Sequence, residues 1–387
     1  MRIYLLLNQP YPNGYALSKR FHLYAKGFVE HDQDVKILIP RPTDKIIKPL
    51  NNNIKGCYDN IEYKYFWKHT TRSKFFIVRR WHDFFGVFMA GIYFLTKKPD
   101  IVITSTFSNI AFFYWKVITY FLSTKFIREK NEVDFLNLST ITYKQIKKAK
   151  NKNRWFDGFI FINKQLRDYT NNVLKINKPS IIVPILVKDF KKAEIKINKG
   201  TILYSGTYVE RKDSLITILN AFNTLVKTYK HIKLILTGSP EISPDYHRIM
   251  QIIKENDIGN SIEFTGYLNE SVLQKFMSSS EILLVPKPDN RQNRYNFPTK
   301  LGEYLITGRP VLSTKVGTIG DLFTGEENIF FTEFDADSMA NKIKYVFENT
   351  ELANKIGENG RKFALKEFNY YYQSKRMIEF FNTIKIK

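Results

Sequence analysis

The stretch Asn296-Phe297-Pro298-Thr299-Lys300-Leu301-Gly302-Glu303-Tyr304-Leu305-Ile306-Thr307-Gly308-Arg309-Pro310-Val311-Leu312-Ser313 decides how this chain is read. It predicts a loop, a short helix, a tight stop and a buried strand. Pro298 suits a first helical turn, where a missing N–H costs nothing. Gly308 suits the left-handed position just past a helix end, and Pro310 forbids continuation. Leu301, Tyr304 and Leu305 share one helical face. The entrance of such a helix carries free backbone N–H groups and the positive end of the helix dipole, a combination that favours phosphate. Lys300 adds a full charge there. Glu303, about one turn further in, is placed to accept hydrogen bonds from the hydroxyls of a sugar attached to that phosphate. Taken alone, the stretch is equally well read as an ordinary βα unit with a solvated lysine and a capping glutamate.

The chain has 387 residues, enough for two domains, and its 43% hydrophobic content supports sizeable cores. Cys57 is the single cysteine, which excludes an internal disulfide and fits a reducing compartment. The opening run of residues 1–7 is apolar, but Asn8-Gln9-Pro10 ends it too soon for a secretory signal, so it reads as a buried first strand. Residues 84–96 are too short for a membrane span. Residues 101–124 are broken by Ser105, Thr106, Ser108, Asn109 and Lys116, so no transmembrane helix is expected. A formal net charge of +23 implies polyanionic partners: nucleic acid, anionic lipid or phosphorylated substrates. Charge alone does not choose among them.

In chain order, a strand at 3–8, a helix at 16–30 with the stripe Leu17, Phe21, Tyr24, Ala25 and Phe28, and a strand at 34–40 form a βαβ unit. A parallel sheet is the expectation. The loop after its first strand lies at the carboxyl edge, where ligands bind, so Asn13, Gly14 and Tyr15 are site candidates, with a plain turn as the other reading. Strands at 61–65, 99–105 and 125–128 follow. Glu129 and Glu132, at the carboxyl end of the last, are expected to face the same crevice. A lysine-rich surface helix at 143–154, a strand at 158–162, a helix at 164–173 and a strand at 180–184 complete a doubly wound domain. Residues 187–200 carry five lysines and no clear period, and read as a linker. The βα pattern then restarts through strands at 201–205, 233–238, 262–265 and 281–286. The chain is thus expected to hold two doubly wound, Rossmann-like α/β domains, residues 1–192 and 193–369, with a final helix at about 370–387 packing back on the first.

Between residues 68 and 85, Lys68, His69, Arg72, Lys74, Arg79 and Arg80 interleave with Phe75, Phe76, Trp81, Phe84 and Phe85. Such a segment suits an anionic membrane surface, with aromatics at headgroup depth and cations on lipid. It suits single-stranded nucleic acid equally, and a core helix with a solvated basic face as well. Asp335-Ala336-Asp337 precedes a predicted helix and reads as a cap rather than a metal motif. No His/Cys cluster has metal spacing and no Gly-x-x-x-x-Gly-Lys loop is present, so no metal or other cofactor is expected.

Four landmarks carry a family resemblance: Tyr204-Ser205-Gly206 followed by Arg211-Lys212-Asp213; Leu236-Thr237-Gly238; Phe264-Thr265-Gly266-Tyr267-Leu268; and Phe297 to Leu305 with Gly308-Arg309-Pro310-Val311. Together they resemble the family 4 glycosyltransferases, the large group 1 set, whose fold is GT-B: two Rossmann-like domains facing across a cleft. The resemblance covers most of residues 201–368 and the N-terminal half more weakly. It implies a sugar transferred from a nucleotide diphosphate sugar, a UDP-sugar by preference, to a saccharide or lipid-linked saccharide acceptor. It implies retained configuration and a place in surface polysaccharide synthesis on the cytoplasmic face of a membrane. Carried over residue by residue, Lys212 resembles the cation that holds the donor diphosphate, with Arg211 assisting and Pro298, Thr299 and Lys300 opposite. Glu303 looks like the ribose-binding carboxylate. Gly206, Gly238, Tyr267, Tyr295 and Asn296 become donor-pocket candidates, and no catalytic nucleophile is implied. One departure stands out: the family's paired-glutamate motif has a second Glu where this chain has Tyr295. A non-catalytic nucleotide-sugar-binding subunit is therefore a rival reading. A basic nucleic-acid-binding protein is another, although no nucleic-acid module is recognisable and the βα restart argues against it.

Overall fold

The computed structural model describes residues 1–135, 140–190 and 195–385. It divides into two compact units, Met1–Leu186 with Asn369–Lys387, and Val187–Phe368. The boundary expected between residues 192 and 193 lies outside the described residues.

The first unit is built on strands β1 (Arg2–Leu6), β2 (Asp34–Ile39), β3 (Lys55–Tyr58), β4 (Ile61–Tyr65), β5 (Ile101–Thr104), β6 (Lys125–Lys130), β7 (Gly158–Phe161) and β8 (Ser180–Ile182). Their spatial order is β3-β4-β2-β1-β5-β6-β7-β8. Every neighbouring pair is parallel except β3–β4. Helices cover both faces, so β1 and β5 bury residues on either side and read as continuous apolar runs. β3 was not expected from the sequence. Its four residues Lys-Gly-Cys-Tyr are all exposed, so no apolar alternation marks it. Asp59 and Asn60, both in the left-handed region, close the hairpin that pins it to β4.

Helix α1 (Ala16–Glu30) lays Phe21, Tyr24, Ala25 and Phe28 on this sheet. Helices α2 (Phe76–Lys97) and α3 (Asn109–Phe121) form a pair, followed by α4 (Tyr143–Asn153) and the short α5 (Lys164–Asp168). Gly86 allows α2 to lie against the Pro40 carbonyl, where a Cβ would stand only 1.4 Å away. Gly91 allows α2 to meet Tyr114 of α3. Two hydrogen bonds then lock the pair: Tyr114 Oη donates to the Phe88 carbonyl (3.1 Å) and Trp115 Nε1 to that of Val87 (3.0 Å).

The second unit has strands β9 (Asn198–Ser205), β10 (Lys233–Thr237), β11 (Ile262–Gly266), β12 (Ser280–Val285), β13 (Val311–Thr314) and β14 (Phe330–Thr332), all parallel in the order β11-β10-β9-β12-β13-β14. Its helices are α6 (Glu210–Asp213), α7 (Leu215–Val226), α8 (Tyr246–Glu255), α9 (Glu270–Ser279), α10 (Arg291–Tyr295), α11 (Thr299–Leu305), α12 (Gly317–Leu322), α13 (Ala336–Glu348) and α14 (Thr350–Glu367). Ile202, Leu219, Leu234, Ile282 and Met339 sit in its main core. The last helix, α15 (Tyr370–Thr383), belongs to the first unit. There Phe381 packs on Phe28 with ring centroids 5.9 Å apart, and Tyr370 Oη donates to Glu30 (2.8 Å).

Candidate functional site

In a parallel sheet the loops at the carboxyl ends of the strands converge, and the second unit gathers most of the candidate residues there. β9 runs through Gly206 and Thr207 to Tyr208, which adopts the left-handed conformation, and then into the one-turn helix α6. Ser214, also left-handed, separates α6 from α7. The break has a cause in hydrogen bonding. Glu210 accepts from the Ile216 amide (2.7 Å) at the start of α7, so its carboxylate caps that helix from the turn before.

The break turns Asp213 inward. Its carboxylate accepts from the Thr207 amide (3.1 Å), the Thr207 hydroxyl (2.6 Å) and Lys287 Nζ (2.7 Å). Burial alone would raise its pKa. The Lys287 cation, together with hydrogen bonds from Lys287 and Thr207, outweighs burial and holds the carboxyl well below the usual range. Lys287 is only 9% exposed. It leaves the end of β12 clamped to β13: its amide donates to Thr314 Oγ1 (2.8 Å), which donates back to its carbonyl (2.7 Å). The following loop is stapled to α6. Asn290 Nδ2 donates to the Arg211 carbonyl (2.7 Å), and Lys287 Nζ reaches that of Lys212 (3.3 Å). Arg211 is exposed and Lys212 half-buried.

Helix α11 enters the same cluster. Pro298 is its N-cap (ψ 118) rather than a first-turn residue as expected, and Thr299 opens the helix. A proline cap has no side-chain acceptor, so the first amides of α11 receive no side-chain capping bond. Tyr304 Oη accepts from the Ser205 amide (2.8 Å), which fastens α11 to the end of β9. Lys300 is half-buried, and its pKa is pushed down from the ordinary 10.5 to about 8. Burial is the largest cause; Asp213 and Glu303 oppose it, and Lys287 and Lys212 reinforce it. Lys212, Asp213, Lys287, Lys300 and Glu303 therefore share one electrostatic environment, from three separate segments of the chain. Lys287 was not singled out by sequence. Its signal was a lysine directly past an apolar strand, Val285-Pro286-Lys287, the kind of strand-end charge that marked Glu129.

Gly206, Gly238 and Gly266 close the ends of β9, β10 and β11. The Gly238 amide donates to the Gly266 carbonyl (2.8 Å), and a Cβ at Gly238 would stand 2.9 Å from the Gly206 carbonyl oxygen. Tyr267 beside them is 76% exposed. Tyr295 ends α10 half-buried, with the Arg291 guanidinium 5.2 Å from its ring centroid, and Asn296 follows half-buried. Asp335 caps α13 by accepting from the Ser338 amide (2.7 Å). Among the described residues no group of three His, Cys, Asp or Glu is placed to hold a metal ion.

In the first unit the candidates scatter. Asn13 is clipped to Asn51: its amide donates to Asn51 Oδ1 (2.8 Å), and Asn51 Nδ2 donates to the Asn13 carbonyl (2.8 Å). Gly14 sits where a Cβ would meet the Pro10 carbonyl oxygen at 2.2 Å, and Tyr15 is exposed. The expectation for Glu129 is corrected. It is 2% exposed, and its carboxylate accepts from Arg20 Nε (2.8 Å), while the other Arg20 nitrogens donate to the carbonyls of Pro184 and Val183. A buried carboxylate needs a paired charge, and here Arg20 takes that place ahead of any ligand. Glu132 is exposed.

The basic and aromatic segment becomes α2. It exposes Phe76, Ile77, Trp81, Phe84 and Phe88, while His82 is buried against Trp67 with ring centroids 4.1 Å apart. The neighbouring α3 exposes a second stripe, Ile110, Phe113, Val117, Tyr120 and Phe121. Among the described residues no helix is long and apolar enough to cross a membrane.

The chain is 24% identical over 211 residues to the uncharacterized glycosyltransferase MJ1178 of Methanocaldococcus jannaschii, covering 54% of this chain and 55% of that protein. It is 23% identical over 251 residues to the chitobiosyldiphosphodolichol beta-mannosyltransferase of Debaryomyces hansenii, covering 56% of this chain and 51% of that protein. The chain thus spans about half the length of these relatives. The fold is similar to that of Anabaena Alr3699/HepE, solved in complex with UDP and glucose, at a TM-score of 0.70 and 14% identity, over 99% of this chain and 100% of that one. At that identity the likeness establishes the fold alone. The family described as glycosyl transferases group 1 matches residues 187–363, which span the strand-end cluster just described. Residues 187–363 thus match the group 1 glycosyltransferases, and the two parallel sheets are those of the GT-B fold.

Proposed function

We propose that this protein transfers a sugar from a nucleotide diphosphate sugar to a saccharide or lipid-linked saccharide. The observation that carries the proposal is the shared environment of Lys212, Lys287 and Lys300 beside the uncapped entrance of α11. Lys300 is half-buried, and the carboxylates around it do not restore its ordinary pKa. A diphosphate arriving there supplies the missing negative charge. As the glycosidic bond breaks, charge builds on the leaving nucleoside diphosphate, and donors fixed in advance stabilise it without reorganising. Lys212 and Lys300 would face the diphosphate, with Arg211 and Thr299 at its edge and the Glu303 carboxylate accepting from ribose hydroxyls. Lys287 reaches Asp213 and the Lys212 carbonyl, so its part is to hold that loop in place. Gly206, Gly238, Tyr267, Tyr295 and Asn296 line the donor side in this reading.

A UDP-sugar is the donor we favour, in keeping with the UDP held by the Anabaena protein. The name of the Debaryomyces relative, a transferase acting on a diphosphodolichol, favours a lipid-linked acceptor bound by the first unit. The exposed stripes of α2 and α3 beside Arg79 and Arg80 fit peripheral docking on the cytoplasmic face of an anionic membrane. Family 4 membership, retained configuration, independence of metal and a role in surface polysaccharide synthesis belong to the same proposal.

The test uses purified Lys212→Ala and Glu303→Ala with a panel of UDP- and GDP-sugars and a lipid-linked acceptor fraction. Each variant is expected to lose at least ~10²-fold in transfer rate, the scale of removing one preorganised contact to the transition state. Near-normal transfer by both would reject these roles, and binding of a nucleotide sugar without any turnover by the unaltered protein would favour the non-catalytic subunit.

A further inference from the structure

The first unit contains a second cationic site, remote in sequence from the donor loops. Helix α4 has the sequence Tyr-Lys-Gln-Ile-Lys-Lys-Ala-Lys-Asn-Lys-Asn, with no acidic residue. Lys144, Lys147, Lys148 and Lys152 follow the i, i+3, i+4, i+8 spacing, so they share one face. That face lines a cleft of about 500 Å³ whose opposite wall is Ser108 and Asn109, the start of α3. Among the described residues none of the four lysines has a carboxylate within ion-pair distance. Four like charges on one wall repel one another. The facing wall is the positive end of a 13-residue helix, which adds to the repulsion instead of relieving it. Ser108 Oγ caps only the Ala111 amide (3.2 Å). Lys152 is half-buried and its pKa is lowered, first by burial and then by the nearby Arg128, with the Asp134 carboxylate opposing the shift. Acids are sparse here, Asp134 beside Lys152 apart, and the positive charge is concentrated around a concavity.

The residue after Asn109 is Ile110, 80% exposed, and it begins the apolar stripe of α3. The cleft thus opens directly beside a surface fit to enter a lipid interface. We infer that this cleft binds the phosphate or diphosphate group of a membrane-borne lipid, with α4 supplying the cations and the exposed stripe of α3 meeting the chain. The inference deepens the reading of a lipid-linked acceptor and rests on it. It assigns the anion of that acceptor to α3 and α4 of the first unit rather than to the donor loops of the second.

The experiment compares the full-length protein with Lys144→Gln/Lys147→Gln/Lys148→Gln, three exposed positions whose replacement leaves the core of α4 untouched. Calorimetric titrations with farnesyl diphosphate, inorganic pyrophosphate and farnesol are run on protein saturated with UDP, so that the donor loops do not contribute. The expected result is binding of farnesyl diphosphate that weakens at least tenfold in the triple variant and falls steeply with salt, while UDP affinity, measured separately, is unchanged. Pyrophosphate is expected to bind more weakly and farnesol not at all. Farnesyl diphosphate affinity that the triple variant leaves intact would overturn the site. Equal affinity for pyrophosphate and farnesyl diphosphate would overturn the lipid assignment. A protein that binds no UDP is titrated without it. That failure strikes the donor reading, and the loss or retention of farnesyl diphosphate binding in the triple variant still decides the cleft.

Discussion

Replacing Lys300 by methionine is expected to stabilise the free protein and cripple its hold on a nucleoside diphosphate. In the folded state the ammonium titrates at about 8, against an ordinary 10.5. The sign follows from proton counts: between these values the unfolded chain binds the proton and the folded one does not, so stability rises with pH across the window. At pH 7 both states are protonated and the whole penalty is present, about 3 kcal/mol for a gap of that size. Lys300→Met removes it, and allowing for imperfect packing of the new side chain a gain of about 1–3 kcal/mol is expected in urea unfolding at pH 7. The gain should shrink as pH rises from 8 to 10.5, because the unaltered protein sheds its penalty there. UDP binding moves the other way. Loss of one hydrogen bond to a charged group costs about 1.5–3 kcal/mol, so UDP affinity should fall roughly 10- to 150-fold. In the unaltered protein the free ammonium must be protonated to bind, so UDP affinity should weaken about tenfold from pH 7 to pH 9, and Lys300→Arg should flatten that profile. A variant less stable than the parent, or one that binds UDP equally well, would refute the reasoning.

Two further outcomes follow from other parts of the molecule. Asp213→Asn leaves Lys287 buried without its counter-charge and should cost about 3–5 kcal/mol in urea unfolding, and Asp213→Asn/Lys287→Met should recover much of it. Because the Asp213 carboxyl titrates far below its unfolded value of about 3.9, its contribution is full above that pH and is lost below it. An acid-stability profile unchanged by the substitution would contradict the pairing. Flotation with anionic liposomes at low salt should carry the protein upward, and neutralising Arg79 and Arg80 or replacing Ile77 and Phe84 by serine should reduce the floated fraction severalfold. Flotation indifferent to both changes would remove α2 from the membrane reading.

Much of the fold was legible because parallel strands buried on both faces leave unbroken apolar runs, as in residues 101–104 and 282–285. Strand β3 was not legible, since an exposed edge strand buries nothing and leaves no pattern. The one-turn helix α6 was not legible either, because the left-handed turn at Ser214 and the bond from the Ile216 amide to Glu210 that set it apart depend on backbone conformation rather than on composition. Glu129 was misread for a related reason. Its position at a strand end was correctly seen, but its partner Arg20 lies 109 residues away and on another element.

The sequence by itself determined the two α/β sheets and the residue types at the strand ends, because hydrophobic period, glycine and proline act locally. Only the tertiary structure decided which charges meet. Ion pairing depends on through-space distance, and residues 213, 287 and 300 become neighbours only after β9 and β12 have paired and α11 has been fastened to Ser205. The same holds for the lysines of α4. Their spacing was visible along the helix, but the cleft they line exists only because the start of α3 stands opposite.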